Sequence, residues 1–274
     1  MPRLFATSDL HVTHRGNGPL VDEVVPETDG DWLLVAGDVA EKAEVVAQTL
    51  ATLRDRFAKV VWVPGNHELW TTPRDEIQLR GESRYHYLVE RCRDLGVLTP
   101  EDEYPVWEHG ERPLTIVPMF LLYDYSWRTR EAEDASLDDA LAQAREAGVV
   151  CTDEFYLHPD PYPTRQDWCA QRLKVTEQRL AAIPDDHGTV LMSHWPLHRH
   201  PTAPLHWPEF AMWCGTEATT DWHVRYRAEV AVFGHLHIPR TTHADGVRFE
   251  EVSLGYPREW QKRARGPIPL RAIL

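Results

Sequence analysis

Short apolar runs that stop abruptly at turn residues recur along this chain. Residues 3–8, 31–36, 60–63, 114–120, 189–193 and 230–233 are centred on apolar side chains, Val, Leu and Ile prominent in all but the first, and show no polar alternation. That is the pattern of strands buried on both faces, as in parallel sheets. Between the second and third runs, residues 42–57 place Val45, Val46, Leu50 and Leu53 on one face of a 3.6-residue period, which predicts a helix returning across the sheet. The opening therefore reads as a βαβαβ unit with right-handed connections, and the fold class as α/β. Further helices are predicted over about 75–95, 137–147 and 166–183, then a closing hairpin over 246–254 and a polar tail.

The ends of these runs carry the chemistry. Asp9 and His11 follow the first, Gly37-Asp38 the second, Gly65-Asn66-His67-Glu68 the third, His194 the run at 189–193, and Gly234-His235-Leu236-His237 the last. Ligands of open α/β sheets collect at the carboxyl ends of strands. Taken singly, Asp9 reads equally as the cap of a turn, and Gly-Asn-His as a polar turn. Together, Asp9, His11, Asp38, Asn66, His194, His235 and His237 amount to two carboxylates, one amide oxygen and four imidazoles. Seven groups are too many for one cation, and with none they would be crowded polar groups lacking neutralisation. Two divalent cations fit, with Asp38 shared between them. Such nitrogen-rich ligation suits manganese, iron or zinc rather than calcium or magnesium.

In this order the five blocks resemble the calcineurin-like metallophosphoesterases; each is weak alone, and the ordered set is specific. The resemblance implies a sandwich of two sheets flanked by helices, a single domain over 1–274 with an aromatic-rich cap inserted at about 121–165. It implies that Asp9, His11, Asp38 and His237 hold one metal, and that Asp38, Asn66, His194 and His235 hold the other, with manganese and iron ahead of zinc. A metal-bridging hydroxide would then attack phosphorus without a protein nucleophile. His67, which has no ligand role in the family, is left to protonate the leaving oxygen, and Glu41, three residues after Asp38, to orient it. The phosphoprotein phosphatase branch continues Gly-Asp-x-Val-Asp-Arg-Gly, whereas this chain has Val39-Ala40-Glu41-Lys42-Ala43.

Residues 62–72, 116–126, 208–216 and 255–260 bring a narrower likeness, to the actinobacterial 4'-phosphopantetheinyl hydrolases, extending over nearly the whole chain. It implies a carrier-serine phosphodiester of holo acyl carrier protein as substrate. Tyr123, Tyr125, Trp127, Trp195, Trp207 and Trp213, the last two in an aromatic loop at 198–220, then either line a groove for the pantetheine arm or belong to the core. Two alternatives stand beside this reading: a metallophosphoesterase for small phosphodiesters or nucleotides, and a non-catalytic metal-binding scaffold.

Composition narrows the field further. With 274 residues, 42% hydrophobic and 26% charged, the chain is an ordinary globular one, and no apolar run is long enough to span a bilayer. The start shows no secretory pattern, so a cytoplasmic location and no membrane partner are expected. A net charge of −14 argues against a nucleic-acid partner. It also sets a problem, because carrier proteins are usually acidic: docking needs a local basic patch, for which Arg258, Lys262, Arg263 and Arg265 are candidates unless they form a solvated tail. Cys92, Cys151, Cys169 and Cys214 are widely spaced and suggest neither a disulfide framework nor a zinc knuckle. His14, His198, His200 and His206 lie close enough in sequence to the ligand loops to meet substrate.

Overall fold

The computed structural model describes residues 1–274. Each apolar run becomes a strand: β1 (Leu4–Thr7), β2 (Trp32–Val35), β3 (Lys59–Trp62), β4 (Val106–Trp107), β5 (Leu114–Pro118), β6 (Gly188–Met192) and β7 (Ala228–Phe233), followed by β8 (Arg240–Ala244), β9 (Val247–Glu251) and β10 (Arg271–Ala272). They form a four-stranded sheet, β10-β1-β2-β3, and a six-stranded sheet, β4-β5-β6-β7-β9-β8. In the first, β1, β2 and β3 run parallel, with Phe5 opposite Leu33 and Leu33 opposite Val60. In the second, β5, β6, β7 and β9 are parallel, while β4 and β8 pair antiparallel at the edges.

The missing alternation has a direct cause. Inward side chains such as Ala6, Leu34, Val61, Ile116, Val190 and Val232 fill one core between the two sheets. Outward ones such as Phe5, Leu33, Val35 and Val60 pack under helices Ala43–Arg56 and Gly81–Asp94, against Val46, Leu50, Leu53 and Leu88. Each Val or Leu so enclosed stabilises the fold by about 1.5–3 kcal/mol. Both faces are dry, and the parallel strands all deliver their carboxyl ends to the same rim.

Several elements differ from expectation. The link from β1 to β2 holds only a 3₁₀ turn, Gly18–Glu23. The helix expected from 75 starts at Gly81, whose φ of +54° and contact with the Asp160 backbone suit only glycine. Asp75 is instead a buried partner of Arg84, at 2.6 Å. The hairpin is β8–β9, turning at Asp245-Gly246, six residues earlier at its start than 246. The presumed tail is structured: Pro257–Trp260 is a helical turn and β10 pairs with β1.

The aromatic residues also fall differently. Tyr123, Tyr125, Trp195 and Trp213 join Phe120, Trp70 and Trp168 in a core of their own, and Trp127 packs in a neighbouring one. Five of the six expected groove residues are thus at most 2% exposed, and only Trp207, at 50%, meets solvent. The segment 121–165, with helix Leu137–Glu146, is built around this core and bridges the loop after β3 through Trp70 and Leu157. All four cysteines are buried thiols, and no helix is long and apolar enough to cross a membrane.

Candidate metal centre and active site

The rim shared by the two sheets gathers all seven predicted ligands. Asp9 and His11 follow β1, Asp38 follows β2, Asn66 follows β3, His194 follows β6, and His235 and His237 follow β7. The backbone is bent to bring them there. Asp9, His11, Asp38, His235 and His237 all have positive φ, between 41° and 70°. Left-handed backbone at non-glycine residues costs on the order of 1–3 kcal/mol each and persists where function over-determines it. Gly65 and Gly234 allow the close approach, since a Cβ on either would collide with the carboxylates of Asp38 and Asp9.

Around Asp9, one oxygen is tied and the other free. Oδ2 accepts from Ser8 Oγ at 2.6 Å, Ser253 Oγ at 2.8 Å and the His235 N–H at 3.0 Å. Oδ1 faces His237 Nε2 at 2.9 Å and His11 Nε2 at 3.8 Å, and the two imidazole nitrogens are 3.3 Å apart. On the other side, His194 Nε2 lies 3.1 Å from Asn66 Oδ1 and 3.2 Å from His235 Nδ1. Between the groups stands Asp38: Oδ1 accepts the His67 N–H at 2.9 Å, while Oδ2 is 3.8 Å from His11 Nε2, 3.5 Å from His194 Nε2 and 3.7 Å from His67 Nε2. Over them lies a cavity of about 210 Å³ walled by His67, Phe210, Leu236 and Tyr256, among others.

The electrostatics match this crowding. Burial, then the Glu68 and Asp9 carboxylates, push the Asp38 carboxyl well above the usual range. Burial drives His11 and His235 well down, which keeps their imidazoles neutral and their lone pairs free. Burial also opposes charge on His237, but Asp9 and Glu259 outweigh it and lift that imidazole to about 10. A cation at Nε2 would take the place of that proton.

A family model described as calcineurin-like phosphoesterase matches residues 2–239. The chain belongs to the calcineurin-like phosphoesterase family. This phosphoesterase is 55% identical over 262 residues to the acyl-carrier-protein phosphodiesterase PptH of Mycobacterium tuberculosis, a match covering 96% of this chain and 80% of that protein. A crystal structure of phosphopantetheinyl hydrolase (PptH) from the same organism superposes with a TM-score of 0.95, covering 100% of this chain and 96% of that one. The two-sheet α/β sandwich expected of the family is the fold observed.

The donor set of the phosphoesterase fits the metal ions its family uses. Asp9, His11 and His237 offer ligand atoms within 4.8 Å of one another, and so do Asp9, Asp38 and His194. Neighbouring ligands of one ion, with bonds of about 2.0–2.2 Å, stand roughly 2.9–3.6 Å apart. The spacings of 2.9, 3.1, 3.2 and 3.3 Å given above fall in that range. Asp38 Oδ2, flanked by nitrogens from both groups, on a carboxyl raised in pKa by burial and then by the Glu68 and Asp9 carboxylates, sits where a positive ion relieves the cluster.

His67 and Glu41 stand side by side. Glu41 Oε1 is 3.2 Å from His67 Nδ1, and His67 lies against Trp70 with ring centroids 3.6 Å apart. Burial would raise Glu41, but hydrogen bonds from His67 and Thr13 hold it at about 2. His67 Nε2 turns the other way, 3.4 Å from the Tyr256 hydroxyl.

Sequence reasoning missed three supports of this site. Glu68 accepts from the N–H groups of Asp38, Val39 and Gly65 at 2.7–2.9 Å, clamping two ligand loops together. Asp153, fully buried, accepts from Asn66 Nδ2 at 2.9 Å, Trp70 Nε1 at 2.7 Å and Tyr123 Oη at 2.9 Å, so the Asn66 amide presents its oxygen inward. Glu259, in the expected tail, holds His237 Nδ1 at 2.8 Å. Arg263 nearby is spent on the carbonyls of Leu254 and His237. The loop histidines diverge: His14 lies beside Glu41 at 3.9 Å, whereas His200 bonds Thr242 and meets Phe249 edge to face, away from the cluster.

Proposed function

We propose that this protein is a dinuclear-metal phosphodiesterase that removes 4'-phosphopantetheine from holo acyl carrier protein. The observation that carries the reading is the intact, convergent ligand set on a chain 55% identical over nearly its full length to a phosphodiesterase of that substrate. In this reading Asp9, His11, Asp38 and His237 would hold one ion, and Asp38, Asn66, His194 and His235 the other. Manganese and iron suit the mixed oxygen and imidazole donors, and zinc is compatible with them. Bound there, the ions would lower the pKa of water and neutralise charge on the phosphoryl oxygens.

The chain's own residues do the rest. His67 hands the proton on Nε2 to the serine oxygen as its bond to phosphorus breaks. Glu41, ionised at any working pH, accepts from Nδ1–H and fixes the ring so that Nε2 faces the reaction. Trp70 on the ring face prevents it from swinging away. Phe210, its ring 5.8 Å from that of His235, narrows the entrance and limits water.

The test is direct. Metal-loaded protein incubated with holo acyl carrier protein should yield the apo form by mass, with release of phosphopantetheine. An unchanged mass alongside hydrolysis of bis(4-nitrophenyl) phosphate would favour an enzyme of small phosphodiesters instead.

A further inference from the structure

The groups behind His67 wall a second cavity, of about 500 Å³, larger than the one over the ligands. Thr13, His14, Glu41, Lys42, Trp70 and Arg74 contribute to its lining. Its one carboxylate, Glu41, is already engaged by Thr13 at 2.6 Å and by His67. Its two full cations, Lys42 and Arg74, are exposed, and neither side chain finds a partner in the chain. Across His67, the Arg258 guanidinium lies 5.3 Å from the Tyr256 ring. On a surface with a net charge of −14, uncommitted cations flanking the proton donor mark a local site for an anionic partner.

The partner follows from the bond that breaks, and this step rests on the function proposed above. Removal of phosphopantetheine forms a bond from water oxygen to phosphorus and breaks that from phosphorus to the serine oxygen. The serine leaves with the proton of His67 Nε2, while a proton of the water passes to solvent. The serine must therefore reach Nε2 in front of His67, and the carrier surface around it extends past the ring over the groups behind it. We infer that an acidic surface of the carrier protein docks over the 500 Å³ cavity, its carboxylates meeting Lys42 and Arg74. The arm lies on the opposite side, toward Phe210 and Leu236. Of the basic run in the C-terminal segment, Arg263 is unavailable, because it is already bonded within the chain.

The experiment compares the native protein with Lys42→Glu/Arg74→Glu on two substrates, holo acyl carrier protein and bis(4-nitrophenyl) phosphate. The ratio of the two kcat/KM values should fall about tenfold or more, through KM for the carrier, and the salt sensitivity of that KM should diminish. Binding of apo carrier protein, followed by fluorescence titration, should weaken in parallel. An unmoved ratio with unmoved carrier binding overturns the docking site while leaving the proposed reaction intact. An equal loss on a short serine-phosphopantetheine diester would assign the cavity to the arm and overturn it as well. If the native protein does not convert holo carrier at all, the reaction falls and the dock with it.

Discussion

Asp153 is the sharpest place to test the architecture of the site, because it comes from the inserted segment and touches no ion. Replacing it by alanine strands three buried donors, on Asn66, Trp70 and Tyr123. A buried donor left alone costs about 1–3 kcal/mol, so the loss from three is about 3–9 kcal/mol, a large part of the 5–15 kcal/mol of a typical domain. Asp153→Asn separates folding from function. It keeps the volume but turns one of the two acceptor oxygens into an N–H₂ donor, so it forfeits charge assistance, about 1–2 kcal/mol, and loses or reverses one of the three hydrogen bonds. Its new N–H₂, however, can face the Asn66 oxygen and turn that amide over, offering a nitrogen donor to the centre in place of the oxygen. Loss of such an outer partner typically lowers metal affinity 10–100-fold. Urea unfolding in chelator measures the first effect, and metal titration by calorimetry the second. A well-folded Asp153→Asn with native metal affinity at both sites would refute the claim that Asp153 orients Asn66.

Other outcomes follow from the same geometry. His67→Ala should retain two metals by elemental analysis and lose about 10²–10⁴-fold in kcat; near-native turnover would remove the proton-donor role. On the proposed assignment Asp38→Asn should weaken both metal sites and abolish turnover, because Asp38 belongs to both donor sets and its carboxylate also accepts the His67 N–H. Glu41 has its folded pKa depressed from the usual 4.5 to about 2. Its contribution to stability, up to about 3 kcal/mol, is thus present above pH 4.5 and lost as pH falls toward 2. Glu41→Gln should therefore be less stable than the native protein at pH 6, and the gap should fall to about half by pH 3 in equilibrium unfolding and vanish only below the folded pKa; a constant gap would contradict the assignment.

The parallel strands were legible because burial on both faces leaves its mark in consecutive residues, as in 60–63. The convergence of the seven donor side chains was legible for a related reason, since each stands within four residues of a strand end. What escaped depends on partners far apart in sequence. Asp153 meets Asn66 across 87 residues, and Glu259 meets His237 across 22, so no spacing announces either. Tyr123 and Trp213 look alike in a groove or a core, because an aromatic ring is apolar in both, and only packing against Phe120 and Leu69 decides. The C-terminal segment misled by its charge: Arg263 and Arg271 are polar in composition, yet both bond to main-chain carbonyls.

The two sheets do not contribute to the rim alike. Asp9, His11, Asp38 and Asn66 hang from the four-stranded layer, and His194, His235 and His237 from the six-stranded one. An ion gripped by both sets acts as a rivet through the sandwich, so occupancy should raise thermal resistance as ion concentration climbs past its dissociation constant. Any motion that pries the layers apart would dismantle the catalyst before it unfolded either layer.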